Sequence, residues 1–315
     1  MEFTGPQEVF ARHGRRHPLL RLVLFTAIFL SLVYVFWLPL AVALLPAEGD
    51  PNQLLTDLTH PAAVVLLWVQ LVAAVVATYL ATTRFDEQSW RATGLWFHPG
   101  WQRHAWSGLV LGFVLILPIF GVLLATRVAH LEASSASPLR ALRLGLLVMV
   151  PVALSEELIF RGYVLRNLTQ AFGARWGILG SSLIFSALHL FNVAELVDRS
   201  LMGVVVIAVA SIFLAGILMG SAYLRTGSLW LPVLLHFSWN FTQSTLLGMP
   251  VSGLSLPGLI HTSLSRPYWL SGGPFGPEGS LLAILALLGG LYWLTRRGPT
   301  TRGVVESENS SPEAR

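Results

Sequence analysis

Apolar residues run along this chain in long blocks separated by short polar breaks. The blocks cover residues 19–46, 61–82, 105–128, 141–161, 176–191, 201–224, 228–247 and 280–294. About 20 apolar helical residues cross the hydrocarbon core of a bilayer, and most of these blocks approach that length. Residues 176–191 and 280–294 fall short, which predicts little tilt or partial burial among the other helices. The pattern predicts an all-α fold, a polytopic transmembrane helical bundle of about eight spans. The first block follows a basic head, residues 1–18. It is far longer than the roughly 7–15 residues of a signal-peptide core, so it reads as a retained anchor.

Composition supports this reading. Hydrophobic residues make up 54% of the chain and charged residues only 11%, against about 25% charged in ordinary soluble domains. A chain so poor in charge cannot cover a water-facing surface, so membrane lipids are its expected surroundings. There is no cysteine, which excludes disulfides, thiolate nucleophiles and Cys-based metal sites. The net charge is +4 and every basic residue is arginine. A basic balance can signal nucleic acid, but here the arginines flank the apolar blocks, as positive-inside topology requires. No nucleic-acid partner is expected. Residues 47–60 hold acids and no arginine, whereas Arg84, Arg91, Arg103, Arg166, Arg175, Arg225, Arg296, Arg297 and Arg302 mark the other side. Both termini are therefore expected in the cytoplasm. Arg127, Arg140, Arg143 and Arg199 run against the asymmetry without reversing it. The absence of lysine fits a GC-rich genome, hence a bacterial plasma membrane.

The blocks divide the chain into the head at 1–18, N-terminal helices over 19–140, and a core over 141–247. A Gly/Pro-rich segment at 248–279, a last helix over 280–298 and a polar tail at 299–315 complete it. The segment 248–279 reads as a connector rather than a lid, and the tail as disordered. No internal repeat of the transporter kind is seen.

Several residues do not belong in lipid. Glu156, Glu157 and Arg161 fall in one block, His189 in the next, and His236 and Asn240 in the seventh. An ionisable side chain at the bilayer centre costs about 2.5–3.5 kcal/mol on insertion scales, so each must face a bundle interior or wet cavity and find a partner. Glu157 and Arg161 are four apart and share a helix face, acid first, the better order for an ion pair. Glu156 points about 100° away and is left to address another neighbour. His236 and Asn240 share a face by the same spacing, as do Phe185 and His189. Pro151 and Pro232 precede the polar groups and can open a helix locally.

This set suits peptide hydrolysis without a covalent nucleophile. Glu156 is a candidate general base. A histidine beside it can share the activated water or protonate a leaving amine. A second histidine and an asparagine amide supply donors where an oxyanion develops. Glu156, His189 and His236 are also a set that can hold zinc with one position open for water, a minority reading beside one with no cofactor.

The residues also resemble a family. Ser155-Glu156-Glu157-Leu158-Ile159-Phe160-Arg161 is similar to its EExxxR motif, Phe185 to His189 to FxxxH, and His236 to Asn240 to HxxxN. This is the CPBP family, the type II CAAX prenyl endopeptidases or Abi proteins, and the resemblance covers residues 141–247. It implies an intramembrane peptidase acting on membrane-associated or lipid-modified peptides. By the same resemblance Glu156 and His189 activate water, His236 and Asn240 stabilise the oxyanion, Glu157 and Arg161 support the site, and Phe185 packs. The alternatives are a non-catalytic membrane scaffold or bacteriocin-immunity protein, and a proton-coupled transporter.

Overall fold

The computed structural model describes residues 16–44, 57–193 and 201–296. Most of the basic head, most of the arginine-poor segment 47–60, Arg199, Arg297, Arg302 and the polar tail lie outside the described residues.

Each apolar block becomes a helix. Helix α1 spans Pro18–Leu44, α2 Pro61–Arg84 and α3 Trp101–Ala125. Helix α4, Pro138–Glu157, runs without a break into a π-helical stretch, Leu158–Leu165, and then into α5, Arg166–Phe172. Next come α6, Ala174–Leu188, α7, Met202–Thr226, and α8, Trp230–Phe241, which ends in a π turn, Thr242–Leu246. The last, α9, spans Leu281–Arg296. Helices α1, α2, α3 and α7 are long and apolar enough to cross a membrane alone, while α6 and α9 are shorter apolar helices. Large apolar side chains such as Val23, Tyr34, Val72, Val110, Leu183 and Leu285 stand exposed, the surface of an integral membrane protein whose solvent is lipid. A polytopic helical bundle is thus what the apolar blocks build.

The segment 248–279, read as a connector, is an ordered one. Strand Ile260–Leu264 in that segment pairs antiparallel with strand Ala129–Ala133, which comes after α3. The segment is tied inward as well. The backbone of Met249 donates to Gln243, and that of Gly253 to Phe275. At Gly276, φ is +92°, and a Cβ would lie 2.1 Å from the carbonyl oxygen of Pro250. Only glycine permits that approach at that backbone angle. Composition rich in Gly, Pro and Ser looked like slack chain because the pairing partner lies more than a hundred residues away in sequence.

A second finding concerns Arg21. It appears in sequence among the basic residues around the first block, but it is buried. It pairs with Asp86 at 3.0 Å and donates to Gln170 at 2.6 Å, while the Tyr163 hydroxyl donates to the same Asp86. This network pins α1 to α5 and to the end of α2. It adds a polar tie to the apolar packing of α1, where Phe25 stacks on Tyr163 at 4.3 Å and Ala41 packs with Ala62 and Leu66 of α2.

Close helix packing places α8. Gly108 and Gly112 of α3 face its backbone. A Cβ on Gly112 would come within 2.5 Å of the Leu235 carbonyl oxygen and 2.8 Å of the Trp239 nitrogen. Small residues four apart let helix backbones meet in this way. The Ser238 hydroxyl donates to the Leu109 carbonyl at 2.7 Å and locks the register. Gly112→Ala must push α8 away, and a displacement of about 1 Å at a reacting group costs about a hundredfold in rate. A hundredfold loss in any activity of the residues on α8 is the expected result, with Gly121→Ala, which meets nothing within 4 Å, at full rate. Equal rates for both would disprove the role given to this contact.

Candidate active site

The EExxxR residues straddle the passage from α-helix to π-helix. Glu157 is the last residue of α4 and Arg161 lies in the π stretch. A π turn inserts an extra residue and rotates the helix beyond it. The i,i+4 ion pair survives it: Arg161 donates to Glu157 Oε1 at 2.8 Å. Both are essentially solvent-free, at 1% and 0% exposure. The guanidinium also reaches the Gly216 carbonyl at 3.4 Å and lies 4.5 Å from the centre of the Phe185 ring. Arg161 is therefore neutralised, donating and stacked at once, which compensates its removal from water.

His236 reaches α4 from α8. Its Nδ1 donates to Glu157 Oε1 at 3.0 Å. Its Nε2 faces Glu156 Oε2 at 4.0 Å. That gap is too long for a direct bond and is spanned readily by one water. As the 100° offset suggested, Arg161 takes Glu157 and Glu156 addresses another group, and that group, His236, is shared with Glu157. The two carboxylates flank the same imidazole, Glu157 from behind and Glu156 from the open side. Glu156 Oε2 is buried and has no hydrogen-bond partner among the described residues.

His189 sits at the junction between α6 and a further helical turn, Leu190–Val193. Its Nδ1 lies 2.8 Å from the Phe185 carbonyl oxygen. A carbonyl can only accept, so Nδ1 carries a proton, and in the neutral ring Nε2 keeps its lone pair. Phe185 ties the site together: its ring packs on His189 at 4.6 Å, on Phe160 at 5.0 Å and edge-on to His236 at 6.4 Å.

Glu156, His189, His236 and Asn240 all line one cavity of about 330 Å³. Glu157 and Arg161 lie behind its wall. The remaining lining is mostly apolar and includes Trp37, Leu66 and Met149 from α1, α2 and α4, and Trp239 from α8. Five further polar groups were not foreseen: Gln70 of α2, Asn192, Ser211 of α7, Ser252, and Glu278, which precedes α9. Glu278 carried a weak signal, an acid just outside an apolar block, but nothing in sequence places it beside residues from α4 and α8. Among the described residues no three His, Asp or Glu side chains converge as a metal site. The minority set of Glu156, His189 and His236 lines the cavity without forming a ligand cage.

The cavity can therefore accept a peptide with apolar parts, hold a water between an unpartnered carboxylate and imidazole nitrogens, and offer an amide to a developing charge. No curated protein and no solved structure matches the chain. Residues 138–242, which contain all three motifs, match the family model of the type II CAAX prenyl endopeptidase Rce1-like proteins.

Proposed function

We propose that the chain is an intramembrane endopeptidase that hydrolyses a peptide bond of a membrane-associated, lipid-modified protein, with a water activated by Glu156. The family match supports a protease. The observation that carries the mechanism is the buried, unpartnered Glu156 Oε2 facing His236 across 4.0 Å in a cavity shared with His189 and Asn240. Glu156 takes a proton from water while His189 Nε2 accepts that water's second hydrogen and aims its lone pair. The water oxygen bonds to the scissile carbonyl carbon, and the carbonyl electrons pass to oxygen. Asn240, whose side-chain amide makes no bond to any described residue, donates to that oxyanion. His236 donates from Nε2 when it carries a proton there, since Nδ1–H is committed to Glu157. The C–N bond then breaks, and the proton held by Glu156 passes to the leaving amine. Glu157 and Arg161 hold His236 and the helix joint in place.

This reading includes no resident cofactor, and it places both termini in the cytoplasm of a bacterial cell, on the arginine asymmetry. The chain divides functionally into helices before residue 141, a catalytic core over 141–247 and the last helix. The direct test compares new protein N-termini in membranes of cells making the wild type and cells making Glu156→Gln at equal level. Termini that appear only with wild type establish proteolysis and name the substrate. Identical profiles, with the variant still rescuing a deletion phenotype, favour a scaffold or immunity protein instead. Treating the purified peptidase with a strong zinc chelator is expected to leave its rate unchanged. A loss restored by added zinc would replace the water-only mechanism with the zinc reading of Glu156, His189 and His236.

A further inference from the structure

Glu278 is a buried acid without a cation. It lies in a short turn, Pro277–Gly279, ahead of α9 and outside the region that the family model covers. It is 8% exposed, yet it lines the same cavity as Glu156 and His236. Its position is fixed from several sides. Gln243 Nε2 donates to its Oε2 at 2.6 Å and to the Pro250 carbonyl at 2.6 Å. Because Pro250 offers only an acceptor, the Gln243 amide is oriented with its nitrogen toward both. The Ser211 hydroxyl donates to the backbone carbonyl of Glu278. The backbone N–H of Ser252 also points at the carboxylate.

Every one of these partners is neutral. No described Arg or His forms an ion pair with Glu278, and His236, already bonded to Glu157, is the one positive group whose field reaches it. Burial pushes its pKa up to about 7. An acid in such a place either holds a proton or takes a counter-charge from a bound partner. Structural acids elsewhere in this chain have theirs built in: Asp86 has Arg21, and Glu157 has Arg161. Glu278 instead has only neutral donors on its carboxylate and lines an open cavity.

We propose that Glu278 is a specificity-determining residue that receives a cationic group of the bound peptide, an ammonium or guanidinium, within the cavity. This rests on the cavity being the peptide site of the proposed function. The chemistry has two sources, a basic side chain or a free peptide amino terminus. Either would supply the missing charge while the rest of the peptide lies on the apolar wall. The turn before α9 thereby joins the recognition surface, although it belongs to none of the three motifs.

The test reads binding, so it does not depend on cleavage. Purified full-length Glu156→Gln protein in detergent micelles is titrated into fluorescently labelled leucine–alanine peptides, and anisotropy is followed. One lysine is moved along the peptide, each lysine peptide is compared with its norleucine counterpart, and each is made with a free and with an acetylated amino terminus. At one position, or at the free terminus, the charged peptide is expected to bind at least tenfold more tightly. Adding Glu278→Gln, which keeps an acceptor for Gln243, is expected to shrink that ratio below twofold with norleucine affinity unchanged. The position of the preference tells side chain from terminus. If Glu278→Gln does not survive purification, Glu278→Asp and Glu278→Asn make the same comparison, with the preference kept by Asp and lost by Asn. A parent protein with no charge preference, or a preference untouched by the neutral variants, overturns the proposal. A preference that disappears with Glu278, while the wild-type chain generates no new N-termini in membranes, overturns the peptidase reading and leaves this one standing. Loss of all peptide binding, norleucine included, in the parent overturns both.

Discussion

Glu156→Gln is expected to lower peptide hydrolysis about a thousandfold, with substrate affinity little changed. Gln keeps the length and the hydrogen-bonding oxygen but cannot take a proton. A positioned general base contributes about 10²–10⁴ in rate, and here no neighbour can replace it. Glu157 is already committed to Arg161 and His236, and Glu278 is held by Gln243. The structural cost should be small, because Glu156 Oε2 bonds nothing among the described residues. The check is a rate on a cleavable peptide together with a melting curve in the same detergent. A variant that melts like wild type and hydrolyses at a comparable rate would remove Glu156 from the mechanism. A variant that is slow only because it is unfolded would leave the site assignment without this support.

Arg161→Leu is expected to be the most damaging single change to stability. The guanidinium bonds Glu157, touches the Gly216 carbonyl and covers the Phe185 ring. Its loss leaves a solvent-free carboxylate whose Oε2 already lacks a partner. Breaking one side of a buried pair costs about 3–5 kcal/mol, mostly from the charge left behind. At about 2–4 °C per kcal/mol for a chain of this size, the melting point should fall by about 10 °C. Adding Glu157→Gln to Arg161→Leu removes the stranded charge and keeps an acceptor for His236 Nδ1, so most of the lost stability should return. Thermal unfolding of the two single variants and the double variant gives the coupling directly. Additive losses would show that the pair acts as two separate contacts and that the stranded charge is not the cause.

Much of this protein is written locally. The apolar blocks name the helices because crossing hydrocarbon requires about 20 apolar residues in a row, a demand each segment meets without its neighbours. The Glu157–Arg161 pair is similarly legible, since a four-residue spacing places two side chains on one face before any tertiary contact exists. The cost of polar groups in lipid also marks Glu156, His189, His236 and Asn240 as residues that must meet inside a bundle.

Which groups meet, and at what distance, was left to the tertiary structure. His236 lies between two adjacent carboxylates because α8 is drawn against α3 at Gly108 and Gly112 and so faces the end of α4. That is a packing outcome, set by backbones that approach closely only where both helices allow it. The π-helical stretch after Glu157 turns the wall of the site, and nothing in the residues of 158–165 signals it. Arg21 looked like a membrane-flanking charge until Asp86 and Gln170, distant in sequence, closed around it. Segment 248–279 looked slack, because its strand partner and its glycine-dependent contacts come from elsewhere in the chain. Glu278 is the sharpest case. A lone acid in a Gly/Pro-rich stretch is ordinary as sequence, and it becomes a buried carboxylate in the cavity only once Gln243, Ser211 and Pro250 are placed around it. Local chemistry chose the helices and the candidate site residues, and long-range packing chose their partners, because a side chain's charge and length are its own, whereas its solvent is made by the rest of the fold.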